Sequence, residues 1–190
     1  MATEITREAG YMHDDQLGDV QTALTGASQY TEAQVGDTGF IIPWLAAGAD
    51  DYVQQKLQFS HRKALGTAIE SIHVHYLLSA QPTAGQTVKL DYKYAWVDFG
   101  AAVPALVSWT GDTKTITFTG SEAANTHYVS DIVEDIGPLS GEHNSSILLV
   151  KVTRNSAGDG ADTYTGNFGL LYMDAHFQTN RLGSANEYTD

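Results

Sequence analysis

Two histidines separated by one residue, His73 and His75, are the sharpest chemical feature of this 190-residue chain. On a β-strand successive side chains alternate faces, so positions i and i+2 point the same way and two imidazoles there can meet one metal ion. His61 lies upstream as a third candidate ligand, but the chain continues Tyr76, Leu77, Leu78, Ser79 and supplies no carboxylate at close spacing. The competing reading is that the rings stack and hydrogen-bond on a sheet surface or at a subunit contact. That reading is the expected one: no metal and no cofactor, with His61, His73 and His75 as the residues that would hold an ion.

Other chemistries find less support. Jelly-roll metalloenzymes of the cupin kind begin their first motif with a His-x-His pair but follow it with a Glu, which is missing after His75. A glycosidase needs two carboxylates flanking a cleft. The obvious pairs, Asp14 with Asp15, Asp50 with Asp51 and Glu134 with Asp135, are adjacent residues, for which a solvated acidic cluster is the ordinary reading. No G-x-S-x-G elbow, P-loop or His-Glu-x-x-His string occurs. With no cysteine there is no disulfide, thiolate site or Cys nucleophile. The segment from Gly158 to Asp162 lacks the D-x-D-x-D spacing and distal Glu of a calcium loop, so a plain turn is expected there. No catalytic residue is expected, and the chain is read as a non-enzyme.

Charge narrows the partners. Asp and Glu number 23 against 10 Lys and Arg, for a formal net charge of −13. Binding nucleic acid needs a basic stripe to neutralise phosphates, and the cations here are scattered, so nucleic acid is not expected. No apolar run approaches the ~20 residues that span a bilayer, and no basic-then-apolar leader opens the chain, which points to synthesis in a cytoplasm and to no membrane partner.

The elements that would position these residues read as strands. Residues 1–38 are rich in Thr, Ala, Gly, Asp and Gln and keep no apolar period, so they are predicted to form an arm, with a short helix over Asp14 to Ala23 as its one candidate element. From Gly39 onward, β-branched and aromatic runs alternate with Gly, Asp, Asn and Ser clusters, which is strand punctuation. Period two places Ile72, Val74, Tyr76 and Leu78 on one face and His73 and His75 on the other. It likewise groups Val88, Leu90, Tyr92, Tyr94 and Trp96 as core rather than as a sugar platform. Leu171, Met173, Ala175 and Phe177 are assigned a common buried face. The run His127 to Ile136 fits a helical stripe as well as a strand, and is read as a strand. Seven or eight strands without βαβ alternation predict an all-β antiparallel sandwich of jelly-roll type over residues 39–190. Trp44 and Trp109 are left without a place.

The stretch LQFSHRKALGTAIESIHVHYLLS resembles a segment of small jelly-roll virion proteins of tailed bacteriophages, with His61, Gly66, Thr67, His73, His75 and Tyr76 in matching places. The likeness continues through LDYKYAWVDFG and again near the C-terminus. There Thr153, Arg154, Asp162, Asp174, His176, Gly183 and Ser184 follow a pattern in which a strand ends in Thr-Arg, an Asp-rich loop intervenes, and an Asp-x-His strand precedes Gly-Ser. It covers roughly residues 57–190 and departs from the pattern where Gln58 and Ser60 flank Phe59, and at Ser71, where a further His is common. The resemblance implies a structural particle protein of the decoration, cement or fibre-base type, with no catalytic residue. The expected partner is the major capsid protein at the capsid surface. A homotrimer is expected first and a dimer second, because identical chains usually close into cyclic assemblies. The alternatives are a tail or fibre component that binds a host glycan through Trp44 or Trp109, and a cupin-like metal-dependent enzyme.

Overall fold

A computed structural model describes residues 12–18, 20–21, 30–59, 63–64, 66–138 and 145–179, with the backbone path alone for those before residue 22. Among the described residues there are eleven strands: β1 (Met12–Gly18), β2 (Val20–Gln21), β3 (Thr31–Gln34), β4 (Ile41–Leu45), β5 (Tyr52–Gln58), β6 (Ile69–Leu78), β7 (Thr87–Val97), β8 (Thr110–Thr117), β9 (Tyr128–Ile136), β10 (Ile147–Arg154) and β11 (Phe168–Thr179). A single 3₁₀ turn, Leu106–Ser108, precedes β8.

From β4 onward the chain passes back and forth between two antiparallel sheets, one ordered β4-β11-β6-β9 and the other β5-β10-β7-β8. This is the eight-stranded jelly roll, an all-β sandwich whose inner faces make one core. The earlier strands add to its margins: β3 pairs with β4, β1 with β11, and β2 with β5. Most of the described part of the predicted arm therefore forms strands of the sandwich. The helix expected over Asp14 to Ala23 is replaced by β1 and β2, because pairing to an open strand edge satisfies backbone groups that a short Gly18-interrupted helix would leave to water.

Alternation in the sequence translates directly into the core. Ile72, Val74 and Leu78 are fully buried and Tyr76 nearly so, while Val88, Leu90, Leu148, Val150 and Val152 meet them from the second sheet. Tyr92, Tyr94 and Trp96 lie partly buried against the same core, on the face their spacing assigned. Two irregularities explain where simple alternation fails. A bulge between Leu170 and Tyr172 shifts the phase of β11, so Phe168, Leu170, Met173, Ala175 and Phe177 face the core. Leu171, which period two had placed with Met173, turns instead to an outer cluster with Val35, Ile42, Trp44 and Leu77. A second bulge makes Ile132 an extra residue between Val133, opposite Ile72, and Asp131, opposite His73. The helix-like spacing of Ile132, Val133 and Ile136 is thus a strand with one inserted residue.

Gly169 lies in register with Trp44, and a β-carbon there would fall within 2.8 Å of the Trp44 ring and of Ile42. The glycine is what allows the indole to lie over β11. Trp44 is only 5% exposed and donates its ring N–H to the Ala33 carbonyl at 3.1 Å. It is a packing residue.

Burial pushes the Tyr76 phenol up to about 12, with Glu122 and Tyr128 adding to the effect. A tyrosine in the unfolded chain ionises near pH 10. The folded-state value is the higher one, so this stabilising difference is intact below pH ~10 and is lost as pH rises toward 12. Chemical denaturation at a series of alkaline pH values is expected to show stability falling across that window. The fall should be shallower in Tyr76→Phe, which keeps the ring stacked on Phe168 at 4.6 Å.

Candidate functional site

His73 and His75 project from the outer face of the first sheet, opposite the side that carries Val74 and Tyr76 into the core. Their neighbours come from strands that only the fold brings together. On β11, Asp174 is in register with His73, Tyr172 with His75, and His176 with Ser71. On the other flank, the β9 bulge sets Asp131 opposite His73. Bulges commonly re-aim side chains next to functional sites.

The centre of the cluster is Asp174, buried at 4% exposure. Its Oδ1 lies 3.1 Å from Nε2 of His75 and 3.5 Å from Nδ1 of His73, and its Oδ2 lies 3.5 Å from Nε2 of His176. The ring nitrogens turned away from the carboxylate have partners of their own. Nε2 of His73 is 2.6 Å from Asp131 and 3.0 Å from the Ser71 hydroxyl. Nδ1 of His75 is 2.8 Å from Nε2 of His127, which precedes β9. The His75 ring is stacked on Tyr172 at 4.0 Å and against His127 at 5.0 Å, and His176 meets His73 edge-on at 4.1 Å. Burial pushes the His75 imidazole below its ordinary value. Asp174 opposes that shift, and His127 and His73 add to it.

Chemically this is an imidazole–carboxylate cluster supported on three adjacent strands. The stacked and hydrogen-bonded rings anticipated for His73 and His75 are present. His61 lies outside the described residues, as do Gly183 and Ser184. His127, Asp131, Asp174 and His176 were not singled out as site residues. The Asp174-x-His176 spacing repeats the i, i+2 pattern of His73 and His75, and that repetition was the available signal.

The remaining candidates separate into structural roles. Asp51 is buried and accepts the Ala46 N–H at 2.8 Å, and Asp50 accepts that of Ala157 at 3.0 Å, so this pair shapes loops. Glu134 and Asp135 are exposed. Asp14 and Asp15 belong to β1. Asp162, in the Asp-rich loop, forms a buried two-pronged ion pair with Arg154 at 2.8 and 3.0 Å. Trp109 donates to the Pro104 carbonyl at 3.1 Å and helps to shape the loop between β7 and β8. Four large apolar side chains of that loop are exposed: Phe99, Val103, Leu106 and Val107, the last at 89%.

The interior between the sheets is filled by aliphatic and aromatic side chains, and the histidines lie outside it. An ion held by them would sit on a sheet surface, unlike the enclosed centre that a cupin-like enzyme would use.

No family model matches the chain, and no curated protein matches it. Among solved structures it is similar to the crystal structure of a carbohydrate-binding module specific for non-crystalline cellulose, CBM28. Identity is 8%, over 85% of this chain and 80% of that chain, with a TM-score of 0.35. At that score the likeness bears on neither ligand nor role.

Proposed function

We propose that this chain is a structural protein of a tailed-bacteriophage particle, a non-enzymatic decoration or cement protein that docks on the major capsid protein at the head surface. The observation that carries the reading is the exposed apolar loop between β7 and β8, with Phe99, Val103, Leu106 and Val107 turned to solvent. Exposed apolar clusters of this kind mark protein-docking surfaces. The loop is also preformed. The Ser108 hydroxyl donates to the Ala105 carbonyl at 2.7 Å and the 3₁₀ turn follows a Pro104 carbonyl held by Trp109. A preformed loop loses less conformational entropy on binding. The resemblance of residues 57–190 to virion proteins supplies the partner, and the net charge of −13 suits a particle exterior that must not adhere to nucleic acid. A homotrimer is the favoured assembly, with a dimer second.

A variant with Phe99, Val103, Leu106 and Val107 all changed to Ser should fold normally, because these side chains leave no cavity. It should lose particle binding by about a hundredfold or more, as expected when several interface anchors are truncated together. Cosedimentation with heads that lack the protein is the measurement, and undiminished binding would sink the docking role of this loop. The fibre alternative has one feature in its favour, a hollow of about 310 Å³ beside Trp44 with Thr31, Ser79, Asn125 and Asn167 in its wall. Saturable binding on a glycan array, together with no binding to heads, would favour it.

A further inference from the structure

We propose that His73, His75 and Asp174 form a binding site for one divalent transition-metal ion of the Zn²⁺, Co²⁺ and Ni²⁺ class on the outer face of the first sheet. This goes beyond the docking role and does not depend on it. One donor atom from each of the three residues lies within 4.8 Å of the other two. A Zn–N bond is about 2.0–2.1 Å, so two ligands on a tetrahedral ion stand about 3.3 Å apart. The separations of Asp174 Oδ1 from His75 Nε2 and His73 Nδ1, 3.1 and 3.5 Å, bracket that figure. Two imidazoles and one carboxylate suit these borderline ions, whereas Ca²⁺ and Mg²⁺ prefer a shell made of oxygens.

The partners of the outward-turned ring nitrogens point to an ion independently. Histidines that bind metals generally donate their other ring N–H to a carboxylate or another acceptor, which fixes the tautomer and aims the free lone pair at the ion. Here the nitrogen of His73 turned away from Asp174 is 2.6 Å from the Asp131 carboxylate, and that of His75 is 2.8 Å from His127. Tyr172 stacked on His75 further restricts that ring. His176 flanks the same carboxylate, its Nε2 3.5 Å from the second oxygen of Asp174.

The test uses the full-length, tag-free chain stripped with EDTA and titrated with Zn²⁺ by calorimetry and with Co²⁺ by visible absorption. One ion per chain is expected to bind, with a rise in melting temperature that Mg²⁺ does not produce. His73→Ala and His75→Ala are each expected to lower affinity by more than a hundredfold, and Asp131→Asn, which leaves all three ligands in place, by about ten- to a hundredfold. Asp174→Asn removes a buried carboxylate and is read only if its circular dichroism matches that of the parent. Absence of saturable binding, or binding that both histidine variants retain undiminished, would overturn the assignment.

Discussion

Replacing Arg154 with alanine is expected to destabilise the domain by about 3–5 kcal/mol, the cost of breaking a buried ion pair from one side. Arg154 is the last residue of β10 and is completely buried. All five of its N–H groups are used: two on Asp162, one each on the carbonyls of Leu45 and Gly166, and one on that of Tyr164. The guanidinium therefore joins the end of β4, the Asp-rich loop and the approach to β11. Removing it leaves the Asp162 carboxylate, its side chain 1% exposed, as an uncompensated buried charge, together with three carbonyls short of a donor. Arg154→Lys should recover little, because a single ammonium cannot reproduce the planar fork. Domains of this kind have a total stability of about 5–15 kcal/mol, so the variant should be near its unfolding midpoint in modest urea. A loss below about 1 kcal/mol would show that water reaches the site and replaces the lost donors.

Gln55→Leu is expected to cost about 2 kcal/mol or more, although leucine nearly matches glutamine in volume. Gln55, on β5, is 2% exposed, and its side-chain amide crosses between the sheets to Met173 on β11. It donates to the Met173 carbonyl and accepts the Met173 N–H at 3.0 Å, so one side chain serves both backbone groups. A buried polar group deprived of its partner loses about 1–3 kcal/mol, and leucine deprives two. Gln55→Glu should also destabilise at neutral pH, since a carboxylate cannot donate to a carbonyl. Equilibrium denaturation gives the magnitude, and accelerated hydrogen exchange at the Met173 amide would locate the loss. A leucine variant as stable as its parent would show that these groups find other partners.

Both residues show where sequence reading runs out. Alternation was sufficient to place Ile72, Val74, Val88 and Leu90 inside and His73 and His75 outside, because a sandwich obliges each strand to hide one face. Arg154 continues that same inward alternation, after Val150 and Val152, yet period alone cannot reveal a charged residue as a core residue, since its burial depends on an Asp eight positions later folding back over it. The bulges at Leu171 and Ile132 were equally hidden. Each is an extra residue whose only signature is a broken period, and that can equally be read as a helical stripe, as in His127 to Ile136. The candidate cluster was half visible. His73 and His75 lie on one strand, whereas Asp174 and Asp131 join them only because β11 and β9 flank β6, and pairing between distant strands leaves no mark on local composition. The N-terminal strands were missed for a related reason: β1 and β2 owe their conformation to the edges they meet and not to their own propensity.

The register that joins Met12 to Thr179 ties an early segment to the last described strand. A ribosome adds about 5–20 residues per second, so for many seconds β1 exists without the strand it must pair with. The first sheet is also incomplete until then, because β11 lies between β4 and β6. Closure of this jelly roll consequently waits until β11 has been made and has left the ribosome. A nascent chain stalled before Thr179 leaves the tunnel should remain sensitive to protease, and exposure of β11 should confer resistance in a single step.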